Sequence, residues 1–296
     1  EARPEKPVLI VGGGPAGLEA AQTLGKRGYA VTLAEAGTEL GGRALSEARL
    51  PGLSAWVRVA DYRKMQLHQL ANVETYFDSR LTADDVLAFG IPRIAIATGA
   101  TWRKDGVGHL HIQPIKIAEG ADVFGPSEAM NGYLPKGKRV VVWDDDHYYM
   151  GGVMAELMAE KGYDTLYITP ASEASTWTRN TMEQHFIQKR LIEKGVKIRS
   201  FTGVDEIGVG EVTVSCMFTG RQEKLEADAV LLVTARLPNE DLFLDLKARE
   251  AELADAGIES VTAIGDALAP ATFAHATYAG RRYAEELDGD PLQDDA

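Results

Sequence analysis

The chain has 296 residues, 45% apolar and 25% charged, a soluble globular composition with enough apolar mass for one large domain or two joined ones. Its formal net charge of -13 argues against a nucleic-acid partner, because no cluster of basic residues offsets the repulsion of a phosphate polymer. The single cysteine, Cys216, excludes an intrachain disulfide, a CxxC pair and a cysteine metal cluster, so any redox chemistry has to come from a bound cofactor. No apolar run reaches the roughly 18 residues of a bilayer span, and the leading Glu-Ala-Arg-Pro-Glu-Lys-Pro has no apolar signal core. These features predict a cytoplasmic chain with no membrane partner. Asp288, Asp290, Asp294 and Asp295 read as a solvated end.

In chain order, Val8 to Val11 is a short apolar strand, Gly14 to Gly25 a helix that stops at Gly28, and Ala30 to Glu35 a second strand. A helix with its lead-in covers Trp56 to Ala71, and Ile94 to Ala97 is a buried strand. Thr101 to Pro135 is loop-rich, with Pro114, Pro126 and Pro135. The plan then repeats: strand Arg139 to Trp143, helix Tyr149 to Lys161 ended by Gly162, and strand Asp164 to Thr169 ended by Pro170. Thr181 to Lys194 is helical, Val196 to Phe201 and Glu211 to Phe218 are strands, and Ala229 to Val233 is a buried strand like Ile94 to Ala97. A helix from Ala274 to Leu287 follows the last strand. Alternating strands and helices predict an α/β fold with parallel sheets, built as two Rossmann-like dinucleotide-binding domains with the second inserted into the first. The expected boundaries are 1–110 and 226–296 for the outer domain and 111–225 for the inserted one.

Val11-Gly12-Gly13-Gly14-Pro15-Ala16-Gly17 carries a GxGxxG pattern in Gly12, Gly14 and Gly17. The first glycine permits the tight turn, the second lets a pyrophosphate approach the backbone, and the third lets helix pack on strand. Pro15 and Ala16 lie in the same turn, whose helix N-terminus offers N–H groups and positive dipole to phosphate. The motif follows an apolar strand, opens a helix, and is followed at the end of the next strand by Glu35 and Ala36. A carboxylate there accepts hydrogen bonds from an adenosine ribose diol and repels a 2′-phosphate, which favours FAD, NAD or ADP over NADP. Downstream, Gly41-Gly42-Arg43 offers a path for a bound dinucleotide, Ala97-Thr98-Gly99-Ala100 ends one buried strand, and Ile264-Gly265-Asp266-Ala267 ends another.

This order of motifs resembles the FAD-binding half of the glutathione-reductase-like flavoproteins. The resemblance implies that Asp266 bonds the ribityl or pyrophosphate region of FAD and that the turn from Thr272 to His275 faces the flavin pyrimidine. Asp266 also reads as a simple turn or cap residue.

The second strand-turn-helix, Val142-Trp143-Asp144-Asp145-Asp146-His147-Tyr148-Tyr149-Met150-Gly151-Gly152, lacks the glycines of a working phosphate loop. Carboxylates where a pyrophosphate would go repel it, and bulky side chains block its approach, so NAD(P)H binding in this half is expected to be weak or absent. Asp144, Asp145, Asp146 and His147 form no convincing metal site, because consecutive residues at a strand end point in opposing directions. His147 and Tyr148 read equally well as groups that fix the turn.

Asp-Asp-His-Tyr-Tyr-Met-Gly-Gly, Thr169-Pro170-Ala171-Ser172-Glu173 and the run Trp177 to His185 resemble the C-terminal part of the trimethylamine, dimethylamine and histamine dehydrogenases. Leu50-Pro51-Gly52-Leu53 and the run Leu81 to Leu87 fit the same family. The resemblance implies a region that holds ADP in place of FAD and binds no NAD(P)H. It also implies a partner: an FMN and iron-sulfur barrel domain or subunit, with electrons passing on to an electron-transferring flavoprotein. Neither a barrel nor a cysteine run is present in the 296 residues. The chain is then a domain of such an enzyme, a subunit of a split one, or a free-standing FAD-dependent NAD(P)H oxidoreductase.

Trp56, Trp102, Trp143 and Trp177 read as packing residues. His68, His109, His111 and His275 show no metal-ligand spacing, no metal is expected, and His275 alone lies where a flavin could meet it. No GxSxG, P-loop or HExxH supports a hydrolase or kinase. Two functional classes fit: a redox module using FAD, and a non-catalytic module in which ADP is a structural ligand. No catalytic residue stands out.

Overall fold

The computed structural model describes residues 6–289. The calls on Asp290, Asp294, Asp295 and most of the leading segment lie outside them. The chain divides into two compact units, Glu1–Ala48 with Ala55–Ala100 and Pro238–Ala296, and Arg49–Ser54 with Thr101–Leu237.

The first unit opens with β1 (Val8–Val11), four apolar residues buried throughout, as expected of a parallel strand covered on both faces. α1 (Pro15–Lys26) starts with proline at a position whose N–H would be orphaned anyway. Every residue from Pro15 to Gly25 is buried, since Ala16, Gly17, Ala20 and Ala21 let neighbours come close. β2 (Val31–Ala34), α2 (Arg43–Glu47), α3 (Arg58–Leu67), β3 (Val73–Tyr76), α4 (Ala83–Phe89) and β4 (Arg93–Ile96) follow. α4 is closed at both ends: Thr82 and Asp85 form a capping box, and Gly90 ends the helix in the left-handed region.

The chain crosses to the second unit through β5 (Ala100–Trp102). β6 (Lys116–Ile117), β7 (Val123–Phe124), α5 (Pro126–Met130), β8 (Arg139–Asp144), α6 (Tyr149–Glu160), β9 (Asp164–Ile168) and α7 (Gln184–Glu193) come next. After β10 (Lys197–Arg199), a meander of β11 (Thr202–Ile207), β12 (Glu211–Cys216) and β13 (Gln222–Glu226) leads to β14 (Ala229–Val233). β15 (Arg236–Pro238) returns the chain and forms a two-stranded sheet with β5. α8 (Asp241–Lys247), α9 (Glu250–Asp255), β16 (Ser260–Ala263) and α10 (Phe273–Glu286) complete the first unit.

The first sheet has the order β16-β4-β1-β2-β3 and the second β10-β9-β8-β14-β7, both parallel throughout. β1 and β8 hold the same inner place in their sheets, so the turns after them lie at the strand carboxyl ends where open α/β sheets bind ligands. A four-stranded sheet, β13-β12-β11-β6, packs its Val204, Ile207, Val212 and Val214 into the core of the second unit with Val141, Trp143 and Leu232.

Three expectations shift. The strand expected over Val196 to Phe201 ends at Arg199, and Phe201 at φ +50° turns the chain into β11. The helix expected from Thr181 starts at Gln184, because Met182 at φ +60° interrupts its first turn. The loop-rich stretch contains β6, β7 and α5. Among the described residues, no helix is long and apolar enough to cross a membrane.

Candidate functional site

The turn between β1 and α1 is built on close approaches. Gly12 has φ +110°, and a Cβ on it would lie 2.4 Å from the Ala97 carbonyl oxygen, so no other residue fits there. A Cβ on Gly17 would lie 1.9 Å from the Gly12 oxygen, which is how closely the helix rests on the turn. At Gly14 nothing stands within 4 Å of the Cβ position. The space beside Gly14, at the start of α1, is therefore open to a ligand, and no side chain caps the helix. Pro15 and Ala16 are buried in the first turn, and Gly265 and Gly280 come so near Ala16 that a Cβ on either would lie within 2.5 Å of it.

Glu35 follows β2, with its carboxylate held by main chain. Its Oε2 accepts the Gly13 N–H at 2.7 Å and its Oε1 the Gly37 N–H at 2.7 Å. Each oxygen keeps a second lone-pair direction for a ribose hydroxyl. Ala36 beside it is exposed. The Gly41 N–H donates to the Gly13 carbonyl at 2.8 Å, and a Cβ on Gly42 would meet the Gly14 Cα at 3.0 Å. The segment between Glu35 and Arg43 is thereby drawn against the phosphate-type turn.

Arg43 and Asp266, 223 residues apart in sequence, meet as an ion pair at 2.8 Å. The same guanidinium reaches Glu47 at 3.0 Å and the Ala271 carbonyl at 2.8 Å, and lies 4.1 Å over the Phe273 ring. Asp266 Oδ1 accepts the Ala271 N–H at 3.0 Å. Thr272 precedes α10, and its Oγ1 contacts His275 Nδ1 at 2.8 Å. Gly99 has open space at its Cβ position. Thr98 donates from Oγ1 to the Asn239 carbonyl at 2.6 Å, and Asn239 returns a hydrogen bond to the Thr98 carbonyl at 3.0 Å. Asn239 is a site-supporting residue that sequence reasoning missed, because nothing local marks a partner 141 residues away. Trp56 packs edge-on against Phe273 at 5.1 Å.

The turn after β8 is filled by its own side chains. Asp144 is fully buried and accepts the N–H groups of Asp146 and His147 at 3.1 and 2.9 Å, and the Tyr167 hydroxyl donates to it. Burial, reinforced by the neighbouring Asp146 and opposed by His147, pushes the Asp144 carboxyl up to about 7. Asp145, also fully buried, accepts the N–H groups of Leu110 and His111 and pairs with His147 Nε2 at 3.1 Å. Ser175 takes the Gly152 N–H at 3.2 Å. Two N–H groups of the turn, those of Asp146 and His147, are thus spent on the buried Asp144. His109 rests against Trp177 at 4.7 Å, His111 against Trp143 at 5.6 Å, and Arg236 over Trp102 at 5.3 Å. Among the described residues, no group of three or more His, Cys, Asp or Glu side chains could hold a metal ion.

Residues 10–79 match the NAD(P)-binding Rossmann-like domain family and residues 124–228 the OYE-like second alpha/beta domain family. Dimethylamine dehydrogenase of Hyphomicrobium sp. (strain x) is 36% identical over 310 residues, 96% of this chain and 42% of that protein. Histamine dehydrogenase from Rhizobium sp. 4-9 superposes with a TM-score of 0.97 at 54% identity, over 100% of this chain and 46% of that one. The chain is homologous to the C-terminal region of the dimethylamine and histamine dehydrogenases. Another relative of this amine-dehydrogenase homologue is 6-hydroxypseudooxynicotine amine oxidase from Pseudomonas geniculata N1, with a TM-score of 0.89 and 43% identity over 96% of this chain and 42% of that one. The amine-dehydrogenase homologue spans less than half the length of each of these three relatives. Its likeness to T. acidophilum thioredoxin reductase, TM-score 0.62 at 19% identity, is one of fold.

Proposed function

We propose that this chain is an adenine-nucleotide-binding module of an amine-dehydrogenase-like flavoprotein, with a single nucleotide site in the first unit. The observation that carries the reading is the contrast between its two strand-turn-helix units. After β1 the turn is glycine-lined and open at Gly14, with Glu35 fixed at the ribose position. After β8 the turn is occupied by the buried Asp144 and Asp145, and Asp144 takes up the N–H groups of Asp146 and His147. A nicotinamide dinucleotide would have to break those bonds and face buried acid. That geometry argues against a free-standing NAD(P)H oxidoreductase.

The residues that would hold the nucleotide are Gly12, Gly14, Pro15, Ala16 and Gly17 at the pyrophosphate, Glu35 and Ala36 at the ribose, and Gly42, Arg43, Thr98, Gly99, Asp266, Thr272 and His275 beyond them. FAD at this site would supply electron transfer through its isoalloxazine, whereas ADP would supply no redox chemistry and would act through the fold by mass action. The partner that fits is an FMN and iron-sulfur barrel, as a fused domain or a subunit, feeding an electron-transferring flavoprotein.

An absorbance spectrum of the purified protein across the near-ultraviolet and visible, followed by release and chromatography of bound nucleotide, tests the reading. A colourless protein releasing ADP, or a yellow one releasing FAD and not bleached by NADH or NADPH, supports it. Bleaching by either dinucleotide, or the absence of any adenine nucleotide before and after incubation with ADP and FAD, overturns it.

A further inference from the structure

We infer that the segment from Gly106 to Ile112 is a strap over the carboxyl end of β8, latched by the Asp145–His147 pair and loosened when His147 gives up its proton. The inference stands apart from the nucleotide site, since every residue in it belongs to the second unit. The strap has no regular structure, and its apolar residues Leu110 and Ile112 are 58% and 73% exposed, so burial does not hold its tip down. Its hold is on one residue of the turn. Asp145, fully buried, accepts the Leu110 N–H at 3.1 Å and the His111 N–H at 3.0 Å on its carboxylate, and its main-chain carbonyl takes the His109 N–H at 3.3 Å. A Cβ on Gly108 would lie 2.2 Å from Asp145 Oδ2, so a glycine is what lets the strap come this close. The His111 ring, 5.6 Å from that of Trp143, completes the cover.

His147 Nε2 lies 3.1 Å from Asp145 Oδ1, and the residue sits at φ +63° with 3% of its surface exposed. Its buried Nδ1 has no hydrogen-bond partner among the described residues, so the charge of the ring rests on the acids around it. Asp144, Asp145 and Asp146 face it from its own turn. His109 stands in the strap with its ring 6.1 Å away, with His111 two residues on, and Trp177 presents an uncharged ring at 5.6 Å while its N–H donates to the His147 carbonyl at 2.9 Å. Further out, Tyr167 of β9 donates to Asp144, and Arg236 of β15 offsets the charge of Asp146. Burial opposes an imidazolium here, but the Asp145 bond and the nearby Asp144 and Asp146 outweigh it and hold the proton above the usual histidine range. Closing the strap takes Asp145 out of water. With an imidazolium beside it the charge is balanced, whereas with a neutral ring the strap closes over an uncompensated carboxylate. The closed state therefore binds the proton more tightly than the open one, so the latch is at full strength below about pH 6.5 and weakens as pH rises through the closed-state value. Asp144, with its carboxyl pushed up to about 7, ionises near the same pH and adds negative charge to the same turn.

The experiment follows the Leu110 and His111 amides of the full chain by NMR from about pH 6 to about pH 8.5, on either side of the imidazole range, alongside titration of the His147 ring. Exchange is expressed as protection factors, which remove its intrinsic pH dependence. In the wild type the protection of both amides is expected to fall by about fivefold, the difference between a charge-assisted and a neutral partnership, with the midpoint of the His147 titration, while amides within β8 hold theirs. His147→Asn tolerates the left-handed backbone and still donates to Asp145, but it carries no charge. It is expected to show the wild type's high-pH protection across the whole range. A merely structural role for His147 would lower protection equally throughout and leave the slope. Constant protection in the wild type, a midpoint apart from that of His147, or an undiminished slope in His147→Asn overturns the latch. If the asparagine variant does not fold, the coincidence of the two wild-type midpoints decides alone.

Discussion

Gly14 and Gly17 belong to one motif, yet the space around them assigns them opposite liabilities. A methyl group on Gly17 would press on the Gly12 carbonyl at 1.9 Å, backbone that cannot yield without moving helix from strand, whereas at Gly14 it would meet no protein atom within 4 Å. Gly17→Ala should therefore cost about 1–3 kcal/mol of stability, as overpacking does. Gly14→Ala, at φ -75°, should leave the unfolding free energy from urea titration within about 0.5 kcal/mol of wild type and lower ADP affinity by about tenfold. Denaturation and ADP titration of the two variants check this, and equal nucleotide affinity of Gly14→Ala and wild type would show that the open space is not the phosphate's. The same contrast shows what could be read beforehand. Gly12, Gly17 and Glu35 were legible because their roles depend on spacing within one βαβ unit. The partnership of Arg43 with Asp266 and that of Thr98 with Asn239 depend on the chain returning after the inserted unit, and no local pattern carries that information.

Among the elements, the turn between β8 and α6 makes the most specific claim. Asp144 has its carboxyl raised to about 7 by burial, against about 4 for an unfolded aspartate. The folded state then holds the proton more tightly than the unfolded one, so stability falls as pH rises from about 4 to about 7 and stays level above, as far as this group is concerned. Asp144→Asn keeps an oxygen for the Asp146 and His147 N–H groups and offers an amide to Tyr167. The variant should flatten that segment of the pH profile and be more stable than wild type at about pH 8. Urea midpoints across the range decide it, and an unaltered slope would refute the raised carboxyl. The elements best anticipated from sequence, β1, β8 and β14, are apolar runs buried along nearly their whole length. Two of those overlooked, β3, with alternating half-buried and exposed residues, and β13, Gln-Glu-Lys-Leu-Glu on the edge of its sheet, bury too little for composition to mark them as strands. Phe201 and Met182 misled for another reason: both are exposed residues at positive φ in hydrogen-bonded turns, the Glu183 N–H reaching the Thr178 carbonyl beside Met182 and the Phe201 N–H the Ala171 carbonyl, against their local propensity.

At the scale of the whole molecule, the two units carry separate apolar clusters, one containing Ile10, Leu24, Leu33 and Tyr283, the other Val141, Trp143, Val204 and Leu232. A ligand confined to the first unit stabilises that unit directly, by about 2.7 kcal/mol at a free concentration about 100 times its dissociation constant. Hydrogen exchange with and without ADP should therefore show slowed amides in β1, β2, β4, β16, α1 and α10. Amides of β8, β9 and the intervening turn should keep their rates, because the strands are held by their own ladders and the Asp146, His147 and Gly152 N–H groups by Asp144 and Ser175 whether or not nucleotide is present. Protection that rises strongly in the turn after β8 would mean that a nucleotide reaches the second unit, and the one-site reading would fall with it. Protection limited to the first unit would make the inserted unit a Rossmann-like scaffold retained for its shape, with its own acids in the place of a phosphate.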